Sequence, residues 1–204
     1  MLRNALNATL TPRRALSKRS TEIEMPTELR KKYRHGNVPG ALCRAARQIL
    51  DASDIEDVGL RKVARLAGVS AAAAYRHFES WEEVLAAVAA EGFSELTAAL
   101  RASADEPDPA IAVGLAYVDF ALTKRGVFRL MFGPILLQKE KYPTLNNAVA
   151  EAREAVGLSG AIGNEYQPLA AWALYHGLSA LFIGNLPPEA NVRALAQRIL
   201  AEAF

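Results

Sequence analysis

Alanine is the commonest residue of this chain, at 39 of 204 positions, and runs of β-branched residues are scarce. Such a composition favours helix and leaves little from which to build a pleated sheet. Apolar residues recur three and four apart in stretch after stretch, and proline or glycine closes each stretch, as in successive amphipathic helices. No segment shows convincing strand alternation, so the expected fold class is all-α. With 51% of residues apolar and 23% charged, wholesale disorder is excluded. The length suits one compact domain or two small ones.

The residues argue for binding rather than catalysis. One cysteine, Cys43, excludes a disulfide framework and any cysteine-cluster metal site. His35, His77 and His176 lack short-range metal spacing. No phosphate-binding glycine loop and no Gly-x-Ser-x-Gly nucleophile elbow occurs. Neither a metal nor another cofactor is expected.

Charge is divided unevenly. Residues 1–80 carry 15 Lys/Arg against 8 Asp/Glu, a net +7, and the remainder carries 9 against 14, a net −5. A basic front half joined to an acidic back half fits a polyanion-binding module attached to something of another purpose, although a basic solvated face has the same composition. Residues 1–33 are expected to be a basic, disordered extension. Arg3, Arg13, Arg14, Lys18 and Arg19 precede the first acid, a composition shared by transit peptides and phosphate-touching arms, and a functional start at Met25 is the alternative. Residues 166–188 contain no charged side chain, yet they hold Pro168, His176 and Asn185, and acids flank them. A helix buried in protein on most sides is the better account than a membrane span, and a cytoplasmic location is expected.

Pro39 suits a first helical position, with Leu42, Ala46, Ile49 and Leu50 on one face of a helix ending near Ser53. A short helix follows from about Leu60 to Ala67. Gly68 supplies a left-handed turn, and Ser70 caps a third helix expected to reach Phe78. Ser80-Trp81-Glu82-Glu83 reads as a capping box, with Glu83 bonding back to Ser80, and opens a long helix to about Ser103. Further helices are expected over Ala110–Lys124, Val127–Phe132, Thr144–Val156, Leu169–Gly184 and Asn191–Ala203. A Gly-rich loop holds Gly157, Gly160 and Gly163.

Two short helices joined through Gly68, with Ala64 four residues earlier, fit a helix-turn-helix; an ordinary helical hairpin has the same outline. The stretch LRKVARLAGVSAAAAYRHFESWEEVL resembles the DNA-binding segment of the TetR (tetracycline-repressor) family of transcription regulators. Farther on, Trp172-Ala173-Leu174-Tyr175-His176-Gly177, preceded by Phe128-Arg129-Leu130-Met131-Phe132-Gly133-Pro134, is similar to the WHG regulatory domain of one branch of that family. The resemblance implies a DNA-binding domain over 34–93 and a regulatory, ligand-binding and dimerisation bundle over 94–204.

It also implies residue roles. Tyr75 and His77 match phosphate-contacting positions, Arg61 and Lys62 match backbone- or base-contacting positions, and Ser70, Ala71, Ala72 and Ala73 match the tip facing base edges. The alanines cannot donate a hydrogen bond and can only touch thymine methyls. Gly59 stands where the family often has a Ser or Thr cap, and Trp81 where it usually has Lys or Arg. In the regulatory half, Phe120, Phe128, Met131, Phe132, Trp172 and His176 are candidates to line a pocket, with core packing as the plainer reading. Ala173, Gly177, Ala180 and Gly184 form a small-residue stripe suited to a close helix crossing in a homodimer. The implied protein is no enzyme. It is a dimeric regulator that binds a pseudo-palindromic double-stranded DNA and leaves it when a small apolar or amphipathic effector binds. Two other readings stand beside it: a helical enzyme using His176 or Cys43, and a ligand-binding protein that has lost operator binding.

Overall fold

The computed structural model describes residues 37–52, 59–157, 167–185 and 191–204. The N-terminal extension and most of the glycine-rich loop lie outside the described residues. Within them, every regular element is helical.

Helix α1 spans Val38–Ala52 and buries Leu42, Ala46, Ile49 and Leu50 on one face. Its cap is Asn37, whose side-chain oxygen accepts from the Gly40 N–H at 2.8 Å, so Pro39 sits at the second helical position rather than the first. Helix α2 (Leu60–Leu66) ends where Gly68 adopts φ +71°. The Val69 N–H reaches back to the Ala64 carbonyl at 3.0 Å, closing the turn. Helix α3 is shorter than expected. It covers only Ala71–Ala74, and residues 75–77 form a turn. The His77 and Phe78 N–H groups both bond the Ala74 carbonyl, and Phe78 dives into the core. That anchor tightens the last turn and ends the helix.

Helix α4 (Trp81–Ala102) runs the length of the molecule. Ser80 accepts from the Glu83 N–H at 3.2 Å, as the capping box requires. Glu83, however, reaches past Ser80 and takes the N–H of Glu79 instead. Helices α5 (Pro109–Thr123) and α6 (Arg125–Met131) lie against α4. A 3-10 segment, Pro134–Lys141, leads into α7 (Pro143–Gly157). The sequence reading missed this segment, because Gly133-Pro134 announces a stop and the tight turns that follow have no apolar period.

Helix α8 (Gln167–Ile183) packs on α5, and so does α9 (Val192–Ala203), capped by Asn191. Glycines sit at the tightest approaches. A Cβ on Gly92 would lie 2.6 Å from Met131 Sδ, and one on Gly114 would lie 2.6 Å from the Tyr175 ring. One continuous core joins all nine α-helices among the described residues. No described helix is long and apolar enough to cross a membrane.

Candidate nucleic-acid interface and regulatory cluster

The basic turn and the short α3 make one exposed surface. Arg61 and Lys62 open α2 toward solvent, while Val63 and Ala64 beneath them are buried. Ser70 caps α3 by accepting from the Ala73 N–H at 3.1 Å. Of the alanine tip, Ala72 is exposed, Ala71 and Ala73 are half-buried, and Ala74 is fully buried. Tyr75 is 59% exposed, so it is not core, and His77 is exposed beside it. Arg76, between them, is exposed on the same turn and adds a cation that the motif comparison passed over. Gly59 caps α2 with no side-chain bond, and a Cβ there would meet nothing. Trp81 is half-buried against the core. The head therefore presents a hydroxyl, an imidazole and several cations around a nearly bare tip, which can grip phosphate more readily than it can read bases.

Beside the middle of α4, where Phe93 meets Phe132, the rings gather around Tyr117 of α5. The Trp172 indole N–H donates to Tyr117 Oη at 3.1 Å, and Tyr117 Oη lies 3.2 Å from His176 Nδ1. A phenol that accepts from the indole has its own proton to give, so Nδ1 is the acceptor and the imidazole proton resides on Nε2. Burial holds the His176 pKa below its ordinary value and pushes the Tyr117 hydroxyl up, the latter partly offset by the indole bond. Phe128 stacks on His176 at 24° and 5.4 Å, and Phe132 lies 4.4 Å from the same ring. Phe93 meets Phe132 edge-on at 5.3 Å.

Four of the six pocket candidates, Phe128, Phe132, Trp172 and His176, are thus brought together. Tyr117, the hub, went unnoticed in the sequence because it sits in a helix apolar all round. Met131 is fully buried against Gly92 of α4, away from the hub. Phe120 is buried on α5 and joins none of these ring pairs. The rings fill the space between them. The open clefts lie to either side: one of about 670 Å³ between α7 and α8, which only Trp172 of the six borders, and one of about 630 Å³ between α4 and the start of α7.

Cys43 is buried, and desolvation together with the nearby Glu91 carboxylate pushes its thiol up to about 12. A thiol so held is a poor nucleophile. Along α8, Ala173, Ala180 and Gly184 are exposed and Gly177 is half-exposed. Leu169 and Leu181 extend the same bare surface at 63% and 50% exposure. Most other described side chains of this helix are buried or half-buried, so within one chain it is bare along this stripe.

The family model of the bacterial regulatory proteins of the tetR family matches residues 42–88, from α1 into α4. The fold extends the likeness over the rest of the chain. A protein of unknown function from Rhodococcus sp. RHA1 superposes with a TM-score of 0.68 at 28% identity, covering 83% of this chain and 95% of its own. A TetR transcriptional regulator from the same organism superposes at 0.55 with 17% identity, covering 84% and 95%. The head of the chain, residues 42–88, is a TetR-family domain. The multidrug binding protein EbrR, solved with imidazole, gives a TM-score of 0.59 at 23% identity, covering 84% and 92%. No curated protein matches.

A TetR-family head is a DNA-binding module, and this one keeps the family's architecture while altering its chemistry. The exposed Tyr75 and His77 occupy the matched stretch, with a capped helix tip immediately before them. Trp81, also in the matched stretch, offers an indole N–H but no charge.

Proposed function

We propose that the chain is a homodimeric repressor released from a pseudo-palindromic operator by a small apolar or amphipathic effector. The observation that carries this reading is the exposed surface of Tyr75, His77, Arg61 and Lys62 around the α3 tip, on a head packed against a helical body. Residues 34–93 form the DNA-binding unit and 94–204 the regulatory unit of the WHG type. The boundary falls inside α4, so one rod belongs to both. The bare small-residue face of α8, with the amphipathic α9 beside it, is the surface for a second copy, since a monomer would leave that apolar area wet.

Two contacts supply the coupling. Arg47 of α1 bonds Glu95 of α4 at 2.7 Å and lies 3.6 Å from Glu91, pinning the head to the rod. Gly126, at the start of α6, rests so closely on the Leu50 carbonyl that a Cβ there would overlap it. Phe128 on the same short helix touches Tyr117 and His176. An effector that displaces these rings moves α6, and α6 has no slack against α1. Such couplings are usually worth about 1–3 kcal/mol, or roughly 5–150-fold in affinity.

A gel shift with the DNA flanking the chain's own gene tests the reading. Binding should weaken steeply with salt, each neutralised phosphate adding about −0.9 to the logarithmic slope. The Tyr75→Ala/His77→Ala double variant should lose specific and non-specific binding alike. Wild-type binding by that variant removes both residues from the interface.

A further inference from the structure

The cleft between α7 and α8 differs in chemistry from the ring cluster behind it. Its volume, about 670 Å³, is that of a site for a small molecule rather than a surface dimple. Its lining includes apolar groups, Val149 of α7 with Leu169 and the indole of Trp172 of α8. It also bears two cations, Lys139 from the 3-10 segment and Arg153 one turn beyond Val149 on α7, against the single acid Glu154. Lys139 has only a loose neighbour, the almost fully exposed carboxylate of Glu140 at 3.9 Å. Arg153 forms no ion pair among the described residues. The Trp172 N–H is already spent on Tyr117, so what the indole offers the cleft is apolar surface.

The second cleft, along α4, is mainly acidic. Glu91 and Glu95 hold Arg47, and Glu83 holds the Glu79 N–H, while its cation Lys141 bonds the Gln138 side chain. A ligand there would have to displace bonds that fasten the head. Of these two clefts, the one between α7 and α8 sets two cations, neither in a close ion pair among the described residues, beside apolar groups.

We infer that the α7–α8 cleft binds a small organic anion, with its carboxylate between Lys139 and Arg153 and its apolar body against Trp172, Leu169 and Val149. This inference rests on the effector reading above and narrows it to one charge class. Trp172 is the link inward, because a body pressed on its indole loads the bond to Tyr117 and through it the ring of His176.

Isothermal titration of the full-length protein with naphthalene-2-carboxylate and decanoate, each beside its primary amide, tests the inference without DNA. At least one carboxylate should bind about tenfold or more tightly than its amide, as a charge-assisted hydrogen bond warrants. The preference should fall to near unity in the Lys139→Gln/Arg153→Gln variant and grow in Glu154→Gln. All three side chains are at the surface, so the fold is spared, and circular dichroism checks it. Equal binding of acid and amide, a preference that survives the double variant, or no binding at millimolar concentration each overturns the inference. Operator binding, measured separately, stands or falls on its own, so failure here is distinguishable from failure of the regulator reading.

Discussion

Two glycines show how differently the same substitution lands. At Gly126 a Cβ meets the backbone of Leu50, which cannot rotate away, whereas at Gly177 a Cβ meets nothing. Gly126→Ala is therefore expected to cost about 1–3 kcal/mol of stability, read from urea unfolding, as overpacking typically does. An unchanged midpoint would mean that α6 can lift off α1 freely, which would also remove the proposed coupling. His176 gives a second residue-level test. Burial lowers its folded pKa beneath the ordinary 6.5 of a solvated imidazole, so the unfolded chain takes up the proton first as pH falls. Stability should be level above about pH 6.5 and decline below it, until the folded imidazole also protonates. His176→Asn keeps an acceptor near Tyr117 and should flatten that decline in urea titrations at pH 7.5 and 5.5. An equally steep decline in the variant would place its origin in another group. The sequence pointed to His176 as a ring in a pocket; that its Nδ1 lies within hydrogen-bond distance of the Tyr117 hydroxyl was invisible, because the two lie 59 residues apart and no local spacing relates them.

Among the elements, the caps were the most legible part of the chain. Ser70 and Ser80 bond where local rules put them, because a cap needs only a short polar side chain and the next turn of backbone. Ser80→Ala should cost about 1 kcal/mol and lower the melting temperature, since it frees the Glu83 N–H at the start of the long rod. No change in melting temperature would mean that Glu83 alone holds that terminus. Boundaries set by tertiary packing were less legible. The third helix stops at Ala74 rather than Phe78 because Phe78 must turn into the core, a demand that comes from α1 and α4 and not from the alanines. The 3-10 segment escaped notice for a related reason: of its eight residues only Ile135 is buried, so it carries no stripe to read.

For the whole molecule, the helical class and the order of its parts followed from alanine content, proline and glycine stops, and one well-matched motif. The arrangement of the regulatory half did not. Six soft side chains suggested a pocket; four of them meet in one cluster with Tyr117, and one of these, Trp172, also borders an open cleft. Apolar residues mark where a core is, and they do not mark where it is hollow. The proposed dimer has a clean test in Gly177→Leu. Among the described residues nothing lies within 4 Å of a Cβ built there, so helicity and unfolding of the monomer should be preserved while sedimentation shows dissociation at micromolar concentration. A variant that stays dimeric places the twofold contact elsewhere, and a monomeric wild type removes it. The alanine tip bears on how such a regulator changes over generations. Ala72 is exposed and its neighbours have no side chain beyond Cβ, while Ser70 and Phe78 secure the helix from either side. If the tip faces base edges as proposed, a residue arriving there by a single mutation alters which bases are favoured without disturbing what holds the head together. A tip with so few commitments of its own can acquire a new operator in small steps, each of them folded.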